Sequence, residues 1–191
     1  KVLSVVGARP QFIKLAVLSR EIRKHFDEVI VHTGQHYDYE MSRIFFKNMG
    51  IPETDYNLGV GSAERSNQIK KMADGIRKVI LKEKPGLVIV FGDTNSTLAG
   101  AMAASKSGIK VAHVESGMRS FDKSMPEEIN RTQTDKVSDI LFCPTDTAVQ
   151  NLKKEGIIKN AFKVGDVMID SIKRNIHIAG KKSKILEKLK L

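Results

Sequence analysis

Short apolar runs alternate along this chain with longer amphipathic stretches. The apolar runs predict strands over residues 2–6, 28–32, 87–91, 109–114, 139–143 and 162–164. The amphipathic stretches predict helices over residues 11–25, 38–48, 64–84, 96–106, 126–137, 145–155, 166–176 and 183–190. Strands that alternate with helices are typical of βα units around a parallel sheet. The sequence therefore predicts a three-layer α/β/α domain with a mainly parallel sheet.

Two segments between these elements are predicted to lack regular structure. Residues 53–62 are predicted to be a loop, and the pair Ala179-Gly180 resembles a hinge or linker. A chain of 191 residues is long enough for one large domain, or for a domain with an appendage.

Composition narrows the class of protein. With 41% hydrophobic and 28% charged residues, the chain has the balance of a soluble globular protein. The net charge of +10 is concentrated in residues 173–191, which hold seven Lys/Arg and one Glu. Because no aromatic RNA-binding motif and no zinc-finger spacing accompanies this charge, we expect no nucleic-acid partner. No apolar stretch is long enough to span a bilayer, and the single cysteine fits a reducing compartment, so we expect a cytoplasmic protein without membrane contact.

The turn after the first predicted strand, Gly7-Ala8-Arg9-Pro10, is a candidate anion site. Backbone N–H groups and the helix dipole at a strand-to-helix turn favour a negative charge, and Arg9 and Lys14 add two cations. The alternative is a tight turn with solvated charges. The dinucleotide fingerprint G-x-G-x-x-G and the phosphate loop G-x-x-x-x-G-K-[ST] are both absent, which disfavours NAD and a P-loop nucleotide.

Three acidic clusters are candidates for proton transfer. Glu115 directly follows a predicted strand, Asp93 follows another after Gly92, and Glu127 follows Pro126 at a predicted helix start. Open α/β sheets bind ligands beyond the carboxyl ends of their strands, so these carboxylates are expected to share a site. Closely spaced carboxylates can raise one another's pKa, so that one acts as acid and another as base.

Each cluster also has a structural explanation. Asp93-Thr94 could cap the following helix, and Glu127-Glu128 suits the positive end of a helix. His113 and Glu115, two apart at a strand end, are expected to point to the same side, which could suggest a metal site with Asp93. The absence of H-E-x-x-H and C-x-x-C disfavours a metal, and a structural role is favoured for His113. Gln35-His36 is either a polar loop or a ligand contact, and the sequence leaves both open.

These segments together resemble the non-hydrolysing UDP-N-acetylglucosamine 2-epimerases. The resemblance extends from Val2 to about Asn175, and the order and spacing of its motifs make it specific. The matching motifs are Gly7-Ala8-Arg9-Pro10 with Lys14, Thr33-Gly34-Gln35-His36, Phe91-Gly92-Asp93-Thr94, His113-Val114-Glu115-Ser116-Gly117-Met118-Arg119, Pro126-Glu127-Glu128-Ile129-Asn130-Arg131, Pro144-Thr145 and Val164-Gly165-Asp166-Val167-Met168-Ile169-Asp170.

The resemblance implies a two-domain glycosyltransferase-B-like architecture with the active site between two Rossmann-like domains. Residues 1–165 would be the N-terminal domain, and residues 166–191 would be linker helices toward a C-terminal domain. The implied chemistry inverts C2 of UDP-GlcNAc to give UDP-ManNAc. UDP is eliminated to leave a 2-acetamidoglucal and is then added back, without a cofactor or a metal. A homodimer is implied for the full-length protein.

The resemblance also assigns roles to residues. Asp93, Glu115 and Glu127 match the acid/base carboxylates, and which of them takes the C2 proton stays open. The positions that match substrate contacts are Arg9, Lys14, Gln35, His36 and Arg131. Bacterial members with an allosteric substrate molecule carry Met three positions after the His of Gln-His. Here Met41 comes five positions after His36, which disfavours allosteric activation by substrate.

Two alternatives remain at this point. One is a sugar-nucleotide-binding domain of a glycosyltransferase-B-like protein without epimerase chemistry. The other is a hydrolysing 2-epimerase, which releases free N-acetylmannosamine. Because family members are about twice as long, we expect this chain by itself to be an inactive N-terminal portion.

Overall fold

The computed structural model of the chain describes residues 1–36 and 42–190, apart from the side chains of Arg43 and Lys182. Within these residues seven strands form one sheet: β1 (Val2–Val6), β2 (Glu28–His32), β3 (Tyr56–Asn57), β4 (Leu87–Phe91), β5 (Lys110–Val114), β6 (Ile140–Cys143) and β7 (Ala161–Lys163). The helices are α1 (Arg9–His25), α2 (Arg43–Met49), α3 (Arg65–Glu83), α4 (Asn95–Lys106), α5 (Pro126–Val137), α6 (Asp146–Lys154), α7 (Val167–Lys182) and α8 (Ile185–Leu189).

The sheet is parallel throughout, with the strand order β3-β2-β1-β4-β5-β6-β7. This confirms the predicted α/β fold with a parallel sheet. The order reverses between β1 and β4, which makes the gap between their carboxyl ends the topological switch point. In folds of this kind ligands bind at that crevice.

Helices cover both faces of the sheet. All five residues of β1 are buried: Leu3 and Val5 pack into the core under α3 and α4, and Val2 and Val6 pack into the core under α1. Strands buried on both faces are expected to be continuously apolar, which is why these runs could be recognised in the sequence. In the part of the chain that the structure describes, no helix is long and apolar enough to cross a membrane.

Two of the sequence-based assignments are wrong. The predicted loop 53–62 contains the short edge strand β3, in which Tyr56 and Asn57 pair with β2. A two-residue strand is too short to produce an alternating pattern. The predicted break at Ala179-Gly180 lies inside α7, which continues to Lys182, because a single glycine costs a helix only about 1 kcal/mol.

Two other expectations are not decided by these elements. The predicted helix 38–48 is observed from Arg43 onward as α2, and its first residues, including Met41, lie outside the described residues. The proposed boundary after residue 165 stays a prediction. The helix α7 that follows it packs along α1, where Ser171 is buried and Arg174 Nη1 donates to the Ala16 carbonyl at 3.4 Å.

His32, at the end of β2, is a buried histidine with two hydrogen-bond partners. Its Nδ1 accepts from Gly34 N at 2.8 Å, and its Nε2 lies 2.9 Å from Ser42 Oγ. The ring stacks on Phe12 with centroids 5.1 Å apart. Burial, together with the nearby His36, lowers the pKa of His32 to about 4. The folded protein therefore favours the neutral ring.

This pKa predicts a loss of stability in mild acid. Below pH 6.5 the unfolded chain takes up a proton at residue 32 and the folded chain does not, so the free energy of unfolding falls as the pH drops. The loss should reach up to about 3 kcal/mol by pH 4. Urea unfolding between pH 6.5 and 5, where most carboxylates stay ionised, measures the slope. His32→Gln should flatten it, and equal slopes in both proteins would contradict the assignment.

Candidate functional site

The candidate site lies at the switch-point edge, which we define as the residues that directly follow β1, β4 and β5. These are the turn from Gly7 to Arg9, the pair Gly92-Asp93, and Glu115. Because β1 pairs with β4 and β4 pairs with β5, all in parallel, the three segments emerge side by side at one end of the sheet. The fold therefore places Asp93 and Glu115 at the same edge.

Glu115 forms an ion pair with Lys14. The Lys14 ammonium group binds Glu115 Oε2, and the lysine, in the second turn of α1, is only 5% exposed. Lys14 is therefore a buried partner of a carboxylate as well as a candidate substrate ligand. Glu115 has a φ of +72°, a left-handed conformation that is uncommon for a residue with a side chain.

The expectation that His113 and Glu115 point to the same side is wrong. Strand alternation ends at Val114, and the positive φ of Glu115 turns its side chain toward α1. His113 instead contacts Asp135 of α5, which belongs to the helical layer on the other face of the sheet.

Asp93 is held by Arg131. Arg131 Nη2 lies 2.5 Å from Asp93 Oδ2, and Arg131 Nη1 lies 3.3 Å from Glu128 Oε2. The cap of α4 is Thr94, whose hydroxyl accepts from Thr97 N, so Asp93 is not the capping residue.

Gly92, the residue before Asp93, lies close to the ion pair of Lys14 and Glu115. A Cβ placed on it would lie 3.1 Å from Lys14 Nζ and 3.5 Å from Glu115 Oε2.

The two glutamates at the start of α5 have different surroundings. Glu127 is exposed. Glu128 is buried and accepts from Ser120 N and Oγ, both at 2.9 Å, and from Phe121 N at 3.1 Å. Burial by itself would raise the pKa of Glu128. These hydrogen bonds and the one from Arg131 outweigh burial and lower that pKa. Glu128 thus anchors the loop before α5, and Glu127 is the member of the pair that solvent or substrate can reach.

The argument for an anion at the first turn is wrong in one respect. Its backbone N–H groups are already used within the protein: Gly7 N and Ala8 N donate to Gln11 Oε1 at 2.8 and 3.0 Å, and Arg9 N donates to His36 Nδ1 at 3.0 Å. An anion here would depend on side chains and the helix dipole. The side chain of Arg9 is exposed and available for this role.

Gln35, the residue before His36, contacts the start of α4. Its Oε1 accepts from Ser96 N at 3.1 Å and from Ser96 Oγ at 2.7 Å, so the side chain helps to cap the first turn of that helix. His36 therefore contacts a backbone group of the switch-point edge, and Gln35 contacts a backbone group of α4. These contacts give each a structural role, and substrate contact stays a prediction for both.

Comparison with known proteins identifies the family. A family model described as UDP-N-acetylglucosamine 2-epimerase matches residues 20–191. The chain belongs to this family. The resemblance inferred from the motifs is thereby confirmed.

Individual relatives agree with this family but differ in substrate. A Methanococcus maripaludis protein named UDP-N-acetylglucosamine 2-epimerase homolog is 57% identical, over 100% of this chain and 54% of its own length. A Pseudomonas aeruginosa protein named UDP-2,3-diacetamido-2,3-dideoxy-D-glucuronate 2-epimerase is 56% identical, over 90% of this chain and 50% of its own. The Methanocaldococcus jannaschii UDP-GlcNAc 2-epimerase, crystallised with UDP-GlcNAc and UDP, superposes with a TM-score of 0.94 at 47% identity, covering 99% of this chain and 53% of its own.

The chain thus spans about half the length of these epimerase relatives.

In residues 1–36 and 42–190 no group of three or more His, Cys, Asp or Glu is arranged to hold a metal ion. His113, which the sequence suggested beside Asp93 and Glu115, has both ring nitrogens within 2.7 Å of other acceptors, Asp135 Oδ1 and the Gly92 carbonyl.

Sequence reasoning missed a series of hydrogen bonds behind Asp93 in the candidate site. Asn130 Nδ2 donates to the Asp93 carbonyl at 2.8 Å, and Arg65 Nη2 donates to Asn130 Oδ1 at 2.8 Å. Asn130 stands next to Arg131 in one of the matching motifs, so its position was a usable signal. Arg65 begins α3, far away in the sequence, and has no local signal.

Proposed function

We propose that this chain supplies one wall of the active site of a nucleotide-sugar 2-epimerase. The observation that carries the proposal is that Asp93 and Glu115 both lie at the switch-point edge, each paired with its own cation. The substrate proposed first is UDP-GlcNAc. Membership of the epimerase family favours this activity over a sugar-nucleotide-binding domain without epimerase chemistry.

The proposed reaction needs a base, an acid and help for the leaving group. A base removes the C2 proton, the C1–C2 double bond forms, and the bond from C1 to the UDP oxygen breaks with its electron pair. Return of a proton to the opposite face of C2 and readdition of UDP at C1 complete the inversion. A proton that is not next to a carbonyl is weakly acidic, so a positioned base and cations for the departing phosphate are both required.

The proposed roles follow from the residues at the edge. Asp93, Glu115 and Glu127 would carry the proton transfers. The pairing of Glu115 with Lys14 and of Asp93 with Arg131 would fix these carboxylates, so each cation acts on a catalytic group while also lying near the nucleotide. Arg9 is an exposed cation at the turn and would meet the diphosphate. Gln35 and His36 would shape the same wall.

The second wall is proposed to come from a second domain. The epimerase relatives are about twice as long as this chain, and one sheet edge cannot enclose a nucleotide sugar. We use the term two-domain protein for this chain together with a second α/β domain that follows it. In that protein residues 1–165 would form the first domain and residues 166–191 the connection. A cytoplasmic homodimer is proposed for it.

A second substrate is favoured by one specific observation. The Pseudomonas aeruginosa relative, whose name gives a diacetamido glucuronate as substrate, is 56% identical to this chain, close to the 57% of the Methanococcus maripaludis relative. The 2-epimerisation step is the same for both sugars. The difference lies at C3 and C6, so selectivity depends on residues that contact those positions.

Product analysis tests the proposal. The two-domain protein should interconvert UDP-GlcNAc and UDP-ManNAc with UDP still attached, as followed by NMR. Parallel reactions with UDP-2,3-diacetamido-2,3-dideoxy-D-glucuronate compare kcat/KM for the two sugars. A preference of more than about 10²-fold, a difference of about 2.7 kcal/mol in transition-state binding, would assign the physiological substrate. Release of free N-acetylmannosamine would indicate a hydrolysing enzyme, and no conversion of either sugar would overturn the proposal.

A further inference from the structure

A fully buried imidazole connects the two acidic segments of the site. His113 lies at 0% exposure in β5, with Nε2 2.7 Å from the Gly92 carbonyl and Nδ1 2.7 Å from Asp135 Oδ1. A carbonyl oxygen can only accept, so Nε2 donates to it. The bond therefore reaches the residue immediately before Asp93.

Asp135 extends this connection to the segment after Glu115. Its Oδ2 accepts from Gly117 N at 3.1 Å and pairs with Arg119 Nη1 at 2.8 Å. Arg119 is fixed in turn by Glu155, whose two oxygens lie 2.7 Å from Nε and Nη2. Burial by itself would raise the pKa of Asp135. The hydrogen bond and charge of His113, together with the charge of Arg119, outweigh burial and lower that pKa. A single carboxylate thus joins β5, α5 and the turn that follows β5.

The turn that bears Glu115 needs such support. Glu115 and Gly117 both have positive φ values, +72° and +75°, and a non-glycine residue persists in this region only where its surroundings enforce it. The N–H groups of Glu115 and Ser116 both donate to the Phe142 carbonyl at 3.0 Å, and Asn151 Nδ2 donates to the Gly117 carbonyl at 3.0 Å. Asp135 completes this set of bonds by binding Gly117 N.

We propose that His113 and Asp135 are positioning residues that hold the Asp93 and Glu115 segments at a fixed separation. The proposal rests on the proposed function, in which those two carboxylates act on one substrate. His113 and Asp135 do not touch the substrate. They fix the Gly92 carbonyl on one side and the Gly117 amide on the other, so both carboxylates are oriented through one buried pair.

Asp135→Asn is the first test, because the amide keeps the shape of the carboxyl but replaces one acceptor oxygen with a donor. In the two-domain protein it should lower kcat by about 10- to 10²-fold, the cost of misplacing catalytic groups by a fraction of an ångström to 1 Å. KM should stay within about threefold, because substrate contacts are untouched. His113→Gln should act in the same way, since its side chain can bond to only one of the two segments at a time.

Glu28→Gln is the matched control for loss of stability. Glu28 is also a buried carboxylate with several partners, including Ser4 Oγ at 2.6 Å and Arg23 Nε at 2.9 Å. It begins β2 and therefore lies at the opposite end of the sheet from the site. Glu28→Gln should lower Tm without lowering kcat. An equal loss of kcat in Glu28→Gln, or unchanged kcat in both Asp135→Asn and His113→Gln, would overturn the proposal.

A second measurement separates this inference from the proposed function. In the 191-residue chain, Asp135→Asn should shift the NMR amide signals of Asp93, Glu115 and Gly117 and speed their hydrogen exchange, whereas Glu28→Gln should leave them in place. Unchanged signals at Asp93 and Glu115 would overturn the coupling. If the unaltered two-domain protein converts neither sugar, the proposed function fails, and these amide signals alone decide whether His113 and Asp135 couple the two segments.

Discussion

Glu115→Gln in the two-domain protein should lower turnover by about 10²-fold or more, the usual loss when a general acid or base is removed. The amide keeps the size of the side chain but cannot take or deliver the proton, and it leaves the buried ammonium group of Lys14 without its charge partner. Asp93→Asn should have an effect of the same size, since the amide can neither take nor deliver the proton and loses the charge pairing with Arg131. Glu127→Gln should also reduce turnover by about 10²-fold or more.

Steady-state kinetics on the three variants would separate chemistry from binding. A fall in kcat with little change in KM indicates an interaction made only in the transition state. Glu128→Gln is a useful comparison with Glu127→Gln. Because Glu128 anchors the loop through Ser120 and Phe121, its substitution should lower Tm. Near-normal turnover in Asp93→Asn, Glu115→Gln and Glu127→Gln alike would remove the catalytic assignment.

The 191-residue chain alone should show no measurable epimerisation. It holds Asp93, Glu115 and Arg9 at one edge, but a single edge cannot exclude water or fix UDP. Positioning of reactants can be worth roughly 7–11 kcal/mol of the barrier, so its loss should abolish turnover even with the acid/base residues in place. Affinity for UDP-GlcNAc should be millimolar or weaker, about 4 kcal/mol at best.

An NMR assay that compares the chain with the two-domain protein at equal concentration measures this difference. The control is an amide NMR spectrum of the chain, which must show that the chain is folded. Turnover by the chain within about tenfold of the two-domain protein, a gap of about 1.4 kcal/mol, would mean that the site is complete within these residues. The proposal of a second wall would then be wrong.

The sequence predicted the sheet well because strands buried on both faces are continuously apolar, as in Leu87–Phe91. It also placed Asp93 and Glu115 at one edge of the sheet, as the structure does, since a parallel sheet brings strand ends together. The partner of Glu115 could not be predicted, because its positive φ breaks strand alternation just beyond Val114. Nothing local indicated that Gln11 would take the amides of the first turn.

The two glutamates at the start of α5 illustrate the same limit. Adjacent in sequence and equally suited to a helix N-terminus, Glu127 and Glu128 are distinguished only by the loop that folds back onto Glu128. Tertiary contacts of this kind leave no periodic pattern in the sequence.

Deuterium incorporation at C2 tests the central claim most directly. In D₂O the two-domain protein should convert UDP-GlcNAc to UDP-ManNAc with deuterium at C2 of the product and UDP still attached, because a carboxylate at the switch-point edge exchanges the C2 proton with solvent. The same protein with Glu115→Gln or Asp93→Asn should incorporate at least about 10²-fold more slowly. Conversion without deuterium at C2, or exchange at the normal rate in both variants, would contradict the account.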